Sequence, residues 1–496
     1  MKRRFLSMLL ALLMCASLLA SCSSSKDEEE TQKSPQGQVV DDPEINAVND
    51  YVSTLAAENK FTGQTFASVG GGQQAEFEEE TGNIENDALY KRQRELEELF
   101  GISWLSATAE EDVNSTTNHA VVDSVKRSVM AGTKDYDLVS GTLLVVGQPL
   151  FNGQCLEDVS SFSALDLSQD WWPATLPETH SLAGKLYFLN GPIVTNYYYD
   201  GMGVLFNKKV TADFGIEDPY ALVSEGKWTF DKMVEIASAV PFNTDGSGVY
   251  RFANPKGINF LYAFDYNVTQ FDEAGVPYVE LTLPQRLSDI ADKVSVIMGD
   301  DSQSAHHKYM TLQETPLDKY GKEYTDMFID GEILFLFEST GAAAGLRDKE
   351  VEFGILPMPK ADAEQKDYIS PATSWGAMFC YVPVCTRDIA ASDVIVEAMA
   401  ALSLKHLKPA FYDKILKGRS THDADSRAMI DIIFKTKIYD IIDIYSLGSV
   451  NLEGMFVRSL NKAVGYDTST LSSDYLIYSK MANNQIKLIM KMIDKK

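Results

Sequence analysis

The chain has 496 residues, 45% of them hydrophobic and 23% charged. That is enough apolar side chain for a packed core, which excludes wholesale disorder, and the length corresponds to two or three domains at roughly 150 residues each. Lys and Arg number 44 against 71 Asp and Glu, a formal net charge of −27. A surface this acidic repels phosphate, so nucleic acid and anionic lipid surfaces are both disfavoured as partners. Five cysteines are too few for a disulfide-built scaffold.

The first residues set the compartment. Lys2, Arg3 and Arg4 form a basic start, and Phe5 to Ala20 is an apolar run, short for a bilayer span and suited to the apolar part of a secretion signal. Leu19-Ala20-Ser21-Cys22 follows. This resembles a bacterial lipobox, in which the peptidase cuts before a cysteine whose sulfur takes a diacylglycerol. The expectation is a signal peptide over 1–21 and an acylated Cys22. Removing residues 1–21 takes away three positive charges, which moves −27 to −30. Residues 22–44 are polar and aperiodic, and read as a flexible tether. Of the remaining cysteines, Cys380 and Cys385 sit in one extended run. Five extended steps separate them by roughly 16 Å, beyond the ~7 Å disulfide limit, so buried free thiols are expected.

The body begins with alternating strands and helices. Thr62–Val69 is β-rich and ends at Gly70-Gly71-Gly72. Asn83–Phe100 is helical, with Leu89, Leu96, Leu99 and Phe100 near one face. Ile102–Ser106 is a second strand, Glu111–Met130 a second helix, and Tyr136–Val139 a third strand. A β-α-β-α-β order demands parallel strands and crossovers, hence an α/β layer. Further on, Lys185–Leu189, Gly203–Phe206, Gly331–Phe337, Phe353–Pro357 and Trp375–Val384 read as strands. Thr229–Ala237 reads as a helix with Thr229 at its N-cap and Trp228 stapled to Met233. The last third is mostly helical and ends in a helix near Ser473–Lys495.

Five stretches, spread over most of residues 60–440, resemble the extracellular solute-binding lipoproteins of bacterial ABC importers, in the sugar-binding branch. They are Tyr136-Asp-Leu-Val-Ser-Gly141; Leu165-Asp-Leu-Ser-Gln-Asp-Trp171-Trp172 with Gly184-Lys185-Leu-Tyr187; Val204-Leu-Phe-Asn207-Lys208 with Phe214-Gly-Ile, Pro219-Tyr220 and Gly226-Lys-Trp-Thr-Phe-Asp-Lys232; Phe328-Ile-Asp-Gly331-Glu with Phe353-Gly-Ile-Leu-Pro-Met-Pro-Lys360; and Pro409-Ala-Phe-Tyr-Asp-Lys414 with Asp425-Ser426. The resemblance implies an α/β, two-lobed periplasmic-binding-protein-like fold of type II, with an interlobe cleft, hinge strands and a helical C-terminal region. Lobe one would hold 45–192 plus 360–400 and lobe two 193–359. The helices of 401–496 would pack on both. Crossings are expected near 191–199, near 356–360 and before Leu407.

Sugars present C–H faces and hydroxyls, so their sites want aromatic platforms with carboxylate and amide partners. Ser140, Gly141 and Thr142 end a parallel strand, where such folds bind ligand. Tyr197-Tyr198-Tyr199-Asp200 lies at the implied first crossover, and Tyr198, Tyr199 and Asp200 are candidate contacts. Lobe packing is the competing role for that cluster. The resemblance places Glu338 and Ser339, after an apolar strand, on the ligand side of lobe two, and Trp375 where the chain re-enters lobe one. Trp171 and Trp172 are assigned to packing.

No catalytic constellation emerges. Glu338-Ser-Thr-Gly341 has part of a nucleophile-elbow spacing, but Phe337 stands where the sharp turn needs glycine. The six histidines show no metal-ligand spacing. Asn243-Thr-Asp-Gly-Ser-Gly lacks a bidentate Glu at the twelfth position of a calcium loop. There is no GxxxxGK[ST] loop, so ATP binding would belong to a partner. The reading is therefore a monomeric, lipid-anchored capture protein on the outer face of the cell membrane, without metal or cofactor. It would bind a neutral oligosaccharide or sugar and serve an ABC permease. A cell-surface lipoprotein enzyme acting on glycans is the alternative, and a binding protein that feeds a sensor kinase is a third reading.

Overall fold

The computed structural model describes residues 42–107, 119–273, 275–305, 315–346, 349–372, 376–416, 424–445 and 471–494. The expected signal peptide, Cys22, all but the end of the tether, and Trp375 lie outside these residues. The chain up to residue 46 is one unit and residues 47–496 form a second, compact one. Within the second unit the chain builds β1 (Thr65–Val69), α1 (Ile84–Phe100), β2 (Ser103–Ala107), α2 (His119–Ala131) and β3 (Leu138–Thr142). The ends of α1 follow local chemistry. The Asn83 side chain accepts from the amides of Glu85 and Asn86, and Gly101 closes the helix at φ +72°, a left-handed cap that glycine adopts without strain. β1 pairs in parallel with both β2 and β3, as the β-α-β-α-β order requires. Alternation along the strands supplies both faces. Phe66, Leu138 and Cys380 point into one apolar cluster, and Val69, Val139 and Phe379 into the other.

The second sheet is assembled from β4 (Met202–Asn207), β5 (Tyr250–Ala253), β8 (Ser304–Ala305), β9 (Ile333–Ser339) and β10 (Phe353–Pro357), in the order β10-β4-β9-β5-β8. β6 (Gln270–Phe271) and β7 (Pro277–Tyr278) form a separate antiparallel hairpin. β9 is central. Its residues Ile333 to Phe337 are 0% exposed, which is why that run is apolar without alternation. Helix α3 (Phe230–Ala237) starts on the Thr229 cap, whose side chain accepts from the Lys232 amide. Trp228 and Met233 are both fully buried, and the Trp228 indole donates to the Pro357 carbonyl at 3.0 Å.

After β11 (Ser370–Pro371) the chain returns to the first sheet as β12 (Met378–Tyr381), antiparallel to β3. The expected strand at 185–189 makes only isolated bridges, Leu182 to Lys185 and Leu189 to Cys380. Its backbone is spent elsewhere: the Leu186 amide donates to Asp158 Oδ1, and its carbonyl accepts from Val159. The C-terminal third is α5 (Ile389–Leu416), α6 (Ala424–Lys435), β13 (Lys437–Ile438) and α7 (Leu471–Ile493). Cys155, Cys380 and Cys385 are all buried, and Cys380 and Cys385 are free thiols.

Three stretches pass between the sheets. Residues 190–201 lead from the first to the second. The chain returns beyond Tyr368, whose hydroxyl still donates at 3.2 Å to the carbonyl of Val223, in a short helix packed on β10. The third, 436–440, runs from α6, packed on β10, to the first-sheet cluster of Tyr439, Ile444 and Tyr445. They are knitted side by side: β11 pairs with β13, and Gly201 bridges Ala372.

The acidic composition reaches the interior. Asp393 and Glu397 lie one turn apart on α5. Asp393 accepts from the amides of Ser163, Ala164 and Leu165. Glu397 is 0% exposed and accepts the indole N–H of Trp171 and of Trp172, both at 2.8 Å, as well as the Tyr51 hydroxyl at 3.1 Å. Both tryptophans are thereby committed to the fold.

Burial pushes the Glu397 carboxyl up to about 7, from an ordinary 4.5, against the lowering effect of its donors. A folded-state value above the unfolded one means that protonation favours folding. The contribution is full below about 4.5 and lost as pH rises to about 7. Thermal unfolding between pH 5 and 8 should therefore show a gain towards acid in the parent chain that Glu397→Gln lacks. Parallel pH profiles for the two proteins would contradict this assignment.

Candidate functional site

The carboxyl end of β3 carries Ser140, Gly141 and Thr142, that of β9 carries Glu338 and Ser339, and the first crossing carries Tyr198, Tyr199 and Asp200. On the first sheet, the loop after β1 folds over β3. Gly70 has φ +108°, and a Cβ there would stand 2.0 Å from the Ser140 carbonyl oxygen. Only glycine allows that approach. Ser140 is fully buried beneath the loop, its hydroxyl donating to the Gly71 carbonyl at 2.7 Å and touching Gln73 Oε1. Gly141 is buried as well; its carbonyl accepts from the Tyr381 hydroxyl at 3.0 Å, and a Cβ would meet Val146 at 2.5 Å. Thr142 ends β3 half-buried, and its hydroxyl has no hydrogen-bond partner among the described residues.

The first crossing separates the four residues of the Tyr197–Asp200 cluster. Tyr198 and Tyr199 line a shallow pocket, with room for about one water between its walls, together with Thr195, Phe411, Glu85 and Lys414. Tyr198 stacks on Phe411 with ring centroids 4.9 Å apart and planes 27° from parallel, and Tyr199 meets the same ring edge-on at 5.1 Å. Lys414 Nζ pairs with Glu85 Oε2 at 2.8 Å. The same ammonium donates to the Tyr199 hydroxyl at 2.8 Å, which donates to Glu85 at 2.9 Å. Burial raises the Glu85 carboxyl, but the Lys414 ammonium and the Thr195 and Tyr199 hydroxyls outweigh it, so the net shift is downward. Burial raises the Tyr199 phenol to about 12. Burial opposes the Lys414 charge, yet Glu85 and Tyr199 leave its ammonium above the ordinary range. At neutral pH the pocket thus holds a carboxylate, an ammonium and the neutral, half-buried Tyr199 phenol over the buried rings of Tyr198 and Phe411, with no net charge from the ion pair.

Tyr197 and Asp200 turn the other way. Asp200 is 5% exposed. Its Oδ1 is 2.5 Å from Lys437 Nζ and its Oδ2 accepts from the Tyr439 hydroxyl at 2.6 Å. Lys437 also donates to the Tyr197 carbonyl at 2.6 Å and stands 3.4 Å from the Tyr197 ring centre. Burial pulls its ammonium down to about 8 despite Asp200. This geometry ties Asp200 to the third crossing rather than to an open surface.

On the second sheet, Glu338 and Ser339 end β9, both half-buried. Glu338 Oε1 accepts from Asn254 Nδ2 at 2.8 Å, and Asn254 holds the left-handed φ of +55° at the end of β5. Ser339 caps the short helix α4 (Thr340–Gly345), whose first turn docks on the crossing. The Thr340 hydroxyl donates to the Tyr198 carbonyl at 2.7 Å, and the Gly341 amide to the Tyr199 carbonyl at 2.9 Å. With the Thr195 amide on the Gly72 carbonyl at 2.8 Å, a continuous path runs from Ser140 through Gly71-Gly72, Thr195 and Tyr198–Tyr199 to Ser339.

The sequence reading missed Glu85, Phe411, Lys414, Asn254 and Arg92. Phe411 and Lys414 lie within Pro409–Lys414, one of the stretches that carried the resemblance, but no spacing pointed them at Glu85, more than three hundred residues away. Arg92 is 1% exposed. It donates to the carbonyls of Gln73 and Ile193 and to the Ser403 hydroxyl, which pins the glycine loop, the first crossing and α5 together.

No family model matches the chain, and no curated protein matches it. Solved structures do. A sugar transporter protein from Rhizobium etli, in an open conformation, shares 14% identity at a TM-score of 0.56 over 85% of this chain and 99% of that one. The sugar-binding protein MalE from Xanthomonas citri shares 11% at 0.56, over 87% and 100%. An ABC substrate-binding protein from Listeria monocytogenes, in complex with cycloalternan, shares 14% at 0.51, over 86% and 98%. The fold is therefore that of the two-lobed solute-binding proteins.

Replacing one member of the buried pair strands the other. Asp200→Asn should cost about 3–5 kcal/mol in a denaturant titration, whereas Tyr199→Phe, at the shallow pocket, should cost about 1 kcal/mol. Equal costs would contradict the contrast between the buried Asp200–Lys437 contact and the half-buried Tyr199 hydroxyl.

Proposed function

We propose that the protein is an extracytoplasmic substrate-binding lipoprotein that captures a neutral oligosaccharide or sugar between its lobes and delivers it to the permease of an ABC importer. The observation that carries this reading is the pocket at the first crossing, where the half-buried Tyr199 ring lies beside a Glu85–Lys414 pair, backed by the buried rings of Tyr198 and Phe411. Rings suit the C–H faces of a sugar, and the pair supplies acceptor and donors for hydroxyls. Because the two charges compensate, a neutral ligand fits better than a uronate. Thr142, Glu338 and Ser339 are the further contacts we assign to the ligand, on the two edges that flank the crossing. Trp375, next to the second crossing in the chain, remains part of the proposed set.

Two structural neighbours support the ligand class: one was solved with cycloalternan, and another, from Streptomyces glaucescens, with acarbose. The first is a substrate-binding protein and the second a receptor, in keeping with a protein that holds its ligand without altering it. Capture would work by population shift, since a ligand that touches both lobes only when they close favours the closed state. The lipobox-like Leu19–Cys22 supports an acyl anchor on the outer face of the membrane, with 22–44 as spacer. Among the described residues no helix is long and apolar enough to cross a membrane. We read the body as a monomer that works without a cofactor.

The test is a thermal-shift screen with cycloalternan, acarbose, maltodextrins, monosaccharides and a uronate oligomer, with chromatography of each sugar afterwards. A cognate ligand at a hundredfold excess over its Kd adds about 2.7 kcal/mol of stability. Intact sugar with a raised unfolding temperature supports the reading. Cleavage of any glycan favours the enzyme, and stabilisation by the uronate alone rejects a neutral ligand. Glu85→Gln should weaken the cognate sugar about tenfold or more while the unliganded protein unfolds at nearly its parent temperature.

A further inference from the structure

The last helix reverses the charge of the chain. Between Asp474 in its first turn and Asp494 just beyond it, residues 475–493 contain Lys480, Lys487 and Lys491 and no Asp or Glu, in a protein with 71 acidic residues in 496. Helix α7 buries Leu471, Tyr475, Ser479, Ala482, Ile486, Ile489 and Ile493. Its opposite face exposes the three lysines together with Leu476 at 37%, Ile477 at 54% and Leu488 at 51%. At 3.6 residues per turn these six side chains fall within a stripe about 120° wide. The lysines lie along its middle, Leu476 at one edge, and Ile477 and Leu488 at the other. The helix is held along its length. Asn483 exchanges two hydrogen bonds with the Val279 backbone beside β7, at 3.0 and 2.7 Å, and the Ile493 carbonyl accepts from Lys185 at 3.3 Å. The stripe is thus a fixed feature of the surface.

We propose that this stripe docks the body of the protein on an anionic phospholipid surface. Net charge argues against such contact only at long range. At physiological ionic strength the Debye length is about 8 Å, so a membrane in contact with α7 responds to the local charge. A convex single-helix stripe, about 23 Å long between Leu476 and Lys491 along the helix axis, suits a flat, deformable partner better than a protein groove. Lysines along the middle would pair with lipid phosphates while the aliphatic edges enter the headgroup layer. The inference is independent of which solute the pocket takes.

Residues 47–496 form a compact unit of their own, so the test uses the chain from residue 22 with Cys22→Ser, which removes both the apolar leader and the acylation site. Co-sedimentation is measured with phosphatidylglycerol-containing and with pure phosphatidylcholine vesicles, at low and high salt. Binding to the anionic vesicles alone, weakened by salt, is the expected result. The Lys480→Glu/Lys487→Glu/Lys491→Glu variant should lose binding by a factor on the order of a hundred with its unfolding temperature retained. If that variant does not fold, Lys487→Gln alone should show a graded loss. No binding to either vesicle, equal binding to both, or binding unaffected by the lysine changes overturns the proposal. Self-association of the parent chain that disappears in the lysine variant, without vesicle binding, overturns it in favour of a second copy of the acidic chain.

Discussion

The contact between Lys437 and Asp200 holds together the part of the molecule on which everything else turns. Three separate segments meet there. Asp200 belongs to the first crossing between the sheets, Lys437 to the third, and β13, of which Lys437 is the first residue, pairs with β11 on the second. Both side chains are almost fully buried, so neither has water to fall back on. The ammonium is satisfied by a carboxylate, a backbone carbonyl and the Tyr197 ring, and the carboxylate by the ammonium and the Tyr439 hydroxyl. Tyr439 meets the buried His180 edge-on at 5.5 Å, and burial together with the Lys437 charge pushes that imidazole down to about 3, leaving it neutral. A single net ion pair is thus enclosed by aromatic rings, an arrangement that specifies one relative placement of the three segments.

The pocket inherits its geometry from that arrangement. Tyr197 and Asp200 are drawn inward to Lys437, which leaves Tyr198 and Tyr199 to face Phe411, Glu85 and Lys414. From the other side, α4 docks its first turn on the carbonyls of the same two tyrosines. The walls of the pocket come from α1, α5 and the crossing, and α4 reaches them through those two carbonyls.

The charge of this chain also misleads if it is read only as a surface property. Asp393, Glu397 and Asp200 are all buried and used as acceptors, whereas Arg92 is buried against carbonyls and a hydroxyl. Burial lowers the Arg92 guanidinium to about 10, still charged at neutral pH. In a protein so rich in acid, the interior cation that pins the glycine loop to the crossing is matched by backbone dipoles. Conversely, the local run of lysines on α7 is invisible in a net charge of −27.

By itself the sequence determined the layering: period-2 strands, capped helices and β-α-β-α-β order are local signals, and they specify an α/β fold whose strand ends carry Thr142, Glu338 and Ser339. It also marked Tyr197–Asp200 as a place of consequence, because three aromatics beside a carboxylate are rare at a crossover. Only the tertiary structure decided which way each of those four turns, since that depends on Lys437, more than two hundred residues later. The same holds for Glu85 and Lys414, which become one pair only when α1 and α5 pack together. Ser140 and Gly141 end a strand in the expected place, yet the loop after β1 covers them, because Gly70 lets the backbone lie directly on Ser140. The extended run at 185–189 reads as a strand from side-chain type alone; its backbone partners, Asp158 and Val159, are set by the fold. Local pattern decides element and register; long-range contact decides which face of each element is left for a ligand.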